Sequence, residues 1–338
     1  MSGEDNPSNL KIEKSRLFCR LEESNVEISI SLVDYRNNYF TSDDPNKIIE
    51  FYNSFDNREQ LIQWMRERPK GVANVHEVEG DKDIIVVIPT ADFNGKYARE
   101  CRENIFKGLQ IIFVESGGRC DFYFNIAHNI NIGIMKAMEY NPKWIVISND
   151  DMYKIDDTGK LKDELKSIDM NKVMAVYAKP ASYHTVTLYI SEISSRERLY
   201  SLYRNEGYIT EILNKYGIKY AIWAGESNRH PKLKRILKAI ITKKIEDSEF
   251  INSQSFGIYS SVFLKQRSNL IFDENYVNSS EEVDLSYYIK LSKTPYRIID
   301  YQIGDFEGSA LGTGITRRLR IILGDTYFFN KYEESLRR

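Results

Sequence analysis

Cysteine, histidine and excess charge are what this 338-residue chain has little of. Its three cysteines, Cys19, Cys101 and Cys120, lie too far apart for a CxxC metal or redox motif, and an odd number argues against a disulfide framework. His76, His128, His184 and His230 are equally scattered, which removes a zinc site. A formal net charge of −2 leaves no electrostatic footprint for nucleic acid. No apolar run approaches the ~20 residues of a membrane span. The opening MSGEDNPSNLKIEK is polar and acidic, unlike a signal peptide. There is no internal repeat or low-complexity tract. These absences give the expectation of a soluble, cytoplasmic protein in a reducing compartment.

What is present is a globular balance, 42% hydrophobic and 28% charged, able to bury a core in one large or two modest domains. Residues 1–80 read as an N-terminal accessory module. Val26, Ile28, Ile30 and Leu32 alternate with polar residues as in a half-buried strand, and Leu61, Ile62 and Met65 fit a short amphipathic helix. The stretch from Arg68 to Asp83 reads as a connection.

From Asp83 the texture becomes α/β. Apolar runs at 84–89, 111–115, 144–148 and 173–178 predict buried strands; 96–108 and 125–140 predict helices, the second with Ile126, Ile130, Ile134 and Met138 on one face. Such alternation implies a Rossmann-like, mostly parallel mixed sheet flanked by helices, with the first three strand ends on one rim. Residues 81–310 form this domain, with 190–250 as an insertion, a Gly257 turn and an acidic SSEEVDL cluster. Residues 311–338 read as a basic and aromatic tail.

The run WIVISNDDM is the most informative stretch. A buried strand ends abruptly in Asn149, Asp150 and Asp151. At the C-terminal edge of an α/β sheet, where ligands bind, such hard oxygen ligands suit a divalent cation carrying a phosphorylated substrate. A turn with a helix cap explains the same residues.

Four elements occur in order: VVIPT with Pro89 and Thr90; Asn131-x-Gly133-Ile134; Asn149-Asp150-Asp151; and FDEN followed by EEVDL. Together they resemble glycosyltransferase family 2, especially its rhamnosyltransferase-like branch, over residues 84–310. The resemblance implies a GT-A fold and inverting transfer from a nucleotide-diphosphate sugar, with Mn²⁺ or Mg²⁺, to a carbohydrate or lipid-linked glycan acceptor. It makes Asp151 the leading metal ligand, with Asp305 the nearest counterpart of a further metal-assisting residue. Asp150 falls where the sugar or ribose is contacted, and Asn149 agrees with the branch while lacking a charge. Pro89, Thr90 and Glu115 fall at the nucleotide pocket, and Asn131 on the donor side. Glu282 matches the catalytic base, with Glu281 and Asp284 as substitutes.

Each position has an ordinary reading too. Ser279-x-x-Glu282 spells a capping box, Glu115 a solvated strand-end charge, and Asn131 a polar residue at a helix start. In the insertion, residues 231–246 spell a basic amphipathic helix, suited either to an anionic membrane surface or to packing on its own domain. Two rival functions stay open: a sugar nucleotidyltransferase, for which PTADFNGK is a poor phosphate loop, and a non-catalytic nucleotide- or carbohydrate-binding protein.

Overall fold

The computed structural model describes residues 35–116, 121–179, 184–192, 222–226, 248–252, 255–306, 312 and 314–336. The strand expected around Val26–Leu32 and the basic segment 231–246 lie outside the described residues. Among those described, no helix is long and apolar enough to cross a membrane.

Three short helices come first: α1 (Tyr35–Phe40), α2 (Pro45–Asn53) and α3 (Arg58–Glu67). Asp44 and Asn57 cap α2 and α3 by accepting from the Asn46 and Gln60 N–H groups, donors that a helix start leaves unpaired. The expected apolar face of α3 buries Leu61, Ile62 and Met65. Phe40, Phe51 and Phe55 surround Trp64 at centroid distances of 6.0, 4.8 and 6.3 Å.

The chain continues through β1 (Asn74–Val78), β2 (Asp81–Thr90), α4 (Lys96–Glu100) with a π turn at Cys101–Ile105, β3 (Leu109–Glu115), α5 (Ile126–Met138), β4 (Trp144–Ser148), β5 (Met152–Lys154), α6 (Thr158–Lys166) and β6 (Ala175–Tyr177). Then follow β7 (His184–Glu192), β8 (Ile222–Glu226), β9 (Ser248–Asn252), β10 (Phe256–Ser260), α7 (Ser261–Gln266), α8 (Glu281–Leu291), β11 (Tyr296–Ile298), β12 (Ile303–Asp305) and α9 (Gly314–Leu336).

The main sheet has the order β1-β3-β2-β4-β10-β6-β11. Pairs β3–β2, β2–β4 and β6–β11 are parallel; β1–β3, β4–β10 and β10–β6 are antiparallel. The architecture is therefore α/β with a mixed sheet, less parallel than expected. The reason is topological: β6 ends at the rim shared by β2, β3 and β4. The chain comes back to that rim at Ser255, beside Asn149, so β10 runs back down the sheet. The predicted Gly257 turn is instead an interior residue of β10 opposite Ile147, and a Cβ there would lie 2.7 Å from the Tyr259 hydroxyl.

The apolar runs follow from burial on both faces. Ile84, Val86 and Ile88 enter one core layer with Phe106 and Phe113, while Ile85 and Val87 enter the other with Ile130 and Ile134 of α5. Gly133 lets α5 approach closely, since a Cβ there would meet Val87 Cγ1 at 2.4 Å.

Two segments differ from their sequence reading. The centre of the supposed connection is β1, an antiparallel edge strand whose largely exposed NVHEV residues give no regular apolar alternation. The supposed tail is the 23-residue α9, which buries Leu319, Ile322, Leu323, Tyr327 and Phe328. It docks on the N-terminal helices: Tyr52 donates to the Leu319 carbonyl at 2.5 Å, and Arg320 donates to the carbonyls of Phe40 and Ser42.

Candidate functional site

Parallel β2, β3 and β4 bring Thr90, Glu115 and the Asn149–Asp151 turn to one rim. Pro89 is buried and lies beyond Val87, the last residue of β2 paired with β4, where the strand tolerates a missing donor. Thr90 Oγ1 donates to Asp150 Oδ2 at 2.7 Å, and the Thr90 carbonyl accepts from the Ser116 N–H at 2.9 Å. The acidic turn is clamped from two more sides. Cys101 Sγ donates to the Asp150 carbonyl at 3.4 Å, and the Asn149 N–H donates to the Ser255 carbonyl at 3.0 Å.

Directly after the turn, β5 pairs antiparallel with β12, placing Met152 opposite Asp305. The Phe306 N–H donates to the Asp151 carbonyl at 2.8 Å, so the ladder reaches the acidic turn itself. Asp305 accepts from Ser255 Oγ at 2.7 Å. Burial, then the charges of Asp150 and Asp305, push the Asp151 carboxyl up to about 6. Burial also raises Asp150, against the lowering effect of the Thr90 hydroxyl. No basic side chain among the described residues pairs with any of these three carboxylates. Nor do three His, Cys, Asp or Glu side chains among the described residues enclose a metal position by themselves.

Glu115 has both oxygens engaged, one by the Phe93 N–H at 2.9 Å and the other by His76 Nε2 at 2.8 Å. The Phe93 N–H and then His76 hold its carboxyl below the usual range. Phe93 stacks on His76 with centroids 4.3 Å apart. Glu115 thus anchors the loop after β2, a task invisible from its place at a strand end.

Asn131, expected on the donor side, serves as a strut between α5 and the FDE loop. It is fully buried; its amide donates to the Phe272 carbonyl and Glu274 Oε1, and its oxygen accepts from the N–H groups of Ile271 and Phe272. No hydrogen-bonding capacity remains for a nucleotide. Glu274 is held further by His128 Nδ1 at 2.9 Å, so the FDE loop is tied to α5.

The acidic trio forms a second cluster at the start of α8. The capping box does not form: Ser280 precedes the helix with φ 70° and no side-chain cap, and its hydroxyl donates to Asp325. Glu281 is buried, with Oε2 lacking a partner. Burial, then the charge of Glu282, holds its carboxyl well above the usual range, which favours the protonated form over the carboxylate a base needs. Asp284 has partners within the fold. It is buried against Lys331 Nζ at 3.0 Å and accepts from the Tyr276 hydroxyl, so its charge is committed to α9. Glu282 is the half-buried member.

No protein-family model matches the chain, and no curated protein matches it.

Proposed function

We propose that this chain is a GT-A glycosyltransferase that moves a sugar from a nucleotide-diphosphate sugar to a carbohydrate or lipid-linked glycan acceptor. One observation carries the reading. Asp151 sits at the C-terminal edge of parallel strands, half-buried, with Asp150 and Asp305 raising its proton affinity and no described cation beside it. Negative charge that no described side chain compensates, at the ligand-binding edge of such a sheet, suits a divalent cation.

The donor set fits Mg²⁺ or Mn²⁺ that arrives with its substrate. Such a cation is ordinarily held by one or two carboxylates together with phosphates, rather than by an all-protein cage. Asp151 would hold it, with Asp305 alongside. Bound there, it would stabilise charge on the departing diphosphate. Thr90 orients Asp150 toward the donor, and Glu282, which matches the base position of the family the sequence resembles, would take the acceptor proton.

Calorimetric titration of nucleoside diphosphates with and without Mn²⁺ tests this. The native chain should bind at least one with Mn²⁺ dependence, and Asp151→Asn should lose that dependence while staying folded. Unchanged metal-dependent binding by the variant removes Asp151 as ligand; no binding by the native chain sinks the reading.

A second reading, a non-catalytic nucleotide- or carbohydrate-binding protein, is favoured by the loss of Asp284 to an ion pair and of Asn131 to the fold. Donor hydrolysis in the absence of acceptor separates the two.

A further inference from the structure

Tyr153 and Phe306 are exposed at 41% and 54% directly beside Asp151. Tyr153 stands opposite Gly304 in the β5–β12 ribbon, and the Phe306–Asp151 hydrogen bond extends the ladder by one pair. Cross-strand partners share a face and successive residues alternate. Asp151, Tyr153, Gly304 and Phe306 therefore lie on one face, while Met152 points into the core.

Gly304 shapes that face. A Cβ on it would lie 2.0 Å from Tyr153 Cζ, so the tyrosine ring occupies the space across the ribbon that any other residue would fill. The two ring centroids are 5.0 Å apart with planes at 51°. Paired rings held open to solvent offer a surface to a partner that is apolar on one side. A pyranose has that form, with C–H groups on its face and hydroxyls on its rim. The sugar joined to a diphosphate at Asp151 has this face as its immediate neighbour. The carboxylates of Asp150 and Asp151, unpaired with any described base, favour hydroxyl donors and disfavour a negatively charged ring.

We propose that Tyr153 and Phe306 form the stacking platform for a neutral pyranose ring of the nucleotide sugar. The inference rests on the nucleotide-sugar reading above, and its test separates the two. Uridine, thymidine and guanosine diphosphates, their neutral hexose conjugates and UDP-glucuronic acid are titrated with Mn²⁺ into the native chain, Tyr153→Leu, Phe306→Leu and Tyr153→Phe.

The expected result is that each leucine variant weakens the hexose conjugate roughly 3- to 10-fold, the worth of one aromatic contact. Affinity for the matching free diphosphate is retained, Tyr153→Phe behaves as native, and the hexuronate binds more weakly than the hexose. Both positions are exposed and the variants are compared at matched melting temperature, so a folding defect in one leaves the other to decide. Equal hexose affinity in native and both leucine variants overturns the proposal. A parallel loss of free diphosphate overturns it too, since the rings would then hold the base. A native chain that binds no diphosphate removes the parent reading and this inference with it.

Discussion

At the residue scale, the three carboxylates of EEVDL illustrate how environment divides chemically similar groups. Within four consecutive positions, they meet three conditions: Glu281 buried with an unpartnered oxygen, Glu282 half-buried, and Asp284 paired with Lys331. Substitution should separate their roles. Glu282→Gln should keep the melting temperature and nucleotide affinity while turnover falls roughly 10²–10⁴-fold, the usual worth of a general base. Asp284→Asn should instead cost roughly 1.5–3 kcal/mol in a denaturant melt, because it removes one of the two carboxylates, Asp273 and Asp284, that Lys331 bridges. Near-normal transfer by Glu282→Gln would end its candidacy. An unchanged melt for Asp284→Asn would contradict its structural role.

At the element scale, the contact of α5 with the sheet controls how the rim is built. Gly133 sits against Val87 and Val114, and two positions earlier Asn131 clamps the loop from Ile271 to Glu274. The motif Asn131-x-Gly133 is thus a device for docking a helix, with no atom left for a ligand. Gly133→Ala offers a clear sign test. Alanine favours a helix by about 1 kcal/mol over glycine, yet its Cβ would fall 2.4 Å from a β-branched side chain in the core. Overpacking of this kind costs about 1–3 kcal/mol, so the variant should melt below the native chain. A raised melting temperature would show that α5 shifts outward at no cost.

On the scale of the whole molecule, the rim carboxylates link stability to pH. The folded state raises Asp151 to about 6, so it holds that proton more tightly than the unfolded chain does. The resulting stabilisation is fully present below the unfolded carboxyl value near 4 and is lost as pH rises through about 6. For a half-exposed carboxylate, screening reduces this to on the order of 1 kcal/mol. Asp151→Asn should therefore be more stable than the native chain at pH 7.5 and lose that advantage by pH 4. Melting curves across that interval check the sign; a constant difference between the two proteins would contradict it.

The buried strands were legible because parallel strands covered on both faces must be apolar throughout. WIVIS coincides with β4, and IIVVIP lies inside β2. The same logic placed Asp150 and Asp151 on a shared rim, since three parallel strands end together. Local patterning also revealed α3 and α5. Other features depended on partners distant in sequence. The largely exposed β1 pairs with the edge that β3 offers, and the last segment became a helix with one buried face, including Arg320 and Phe328, on the surface that α2 supplies. Asp305 came beside Asp151 through the pairing of β12 with β5, and Asp284 was withdrawn from solvent by Lys331. Periodicity is a property of neighbours along the chain, so sequence alone determined which segments bury an apolar face. Which charges meet, and which are neutralised, depends on distances across the fold, and only the tertiary structure decided that.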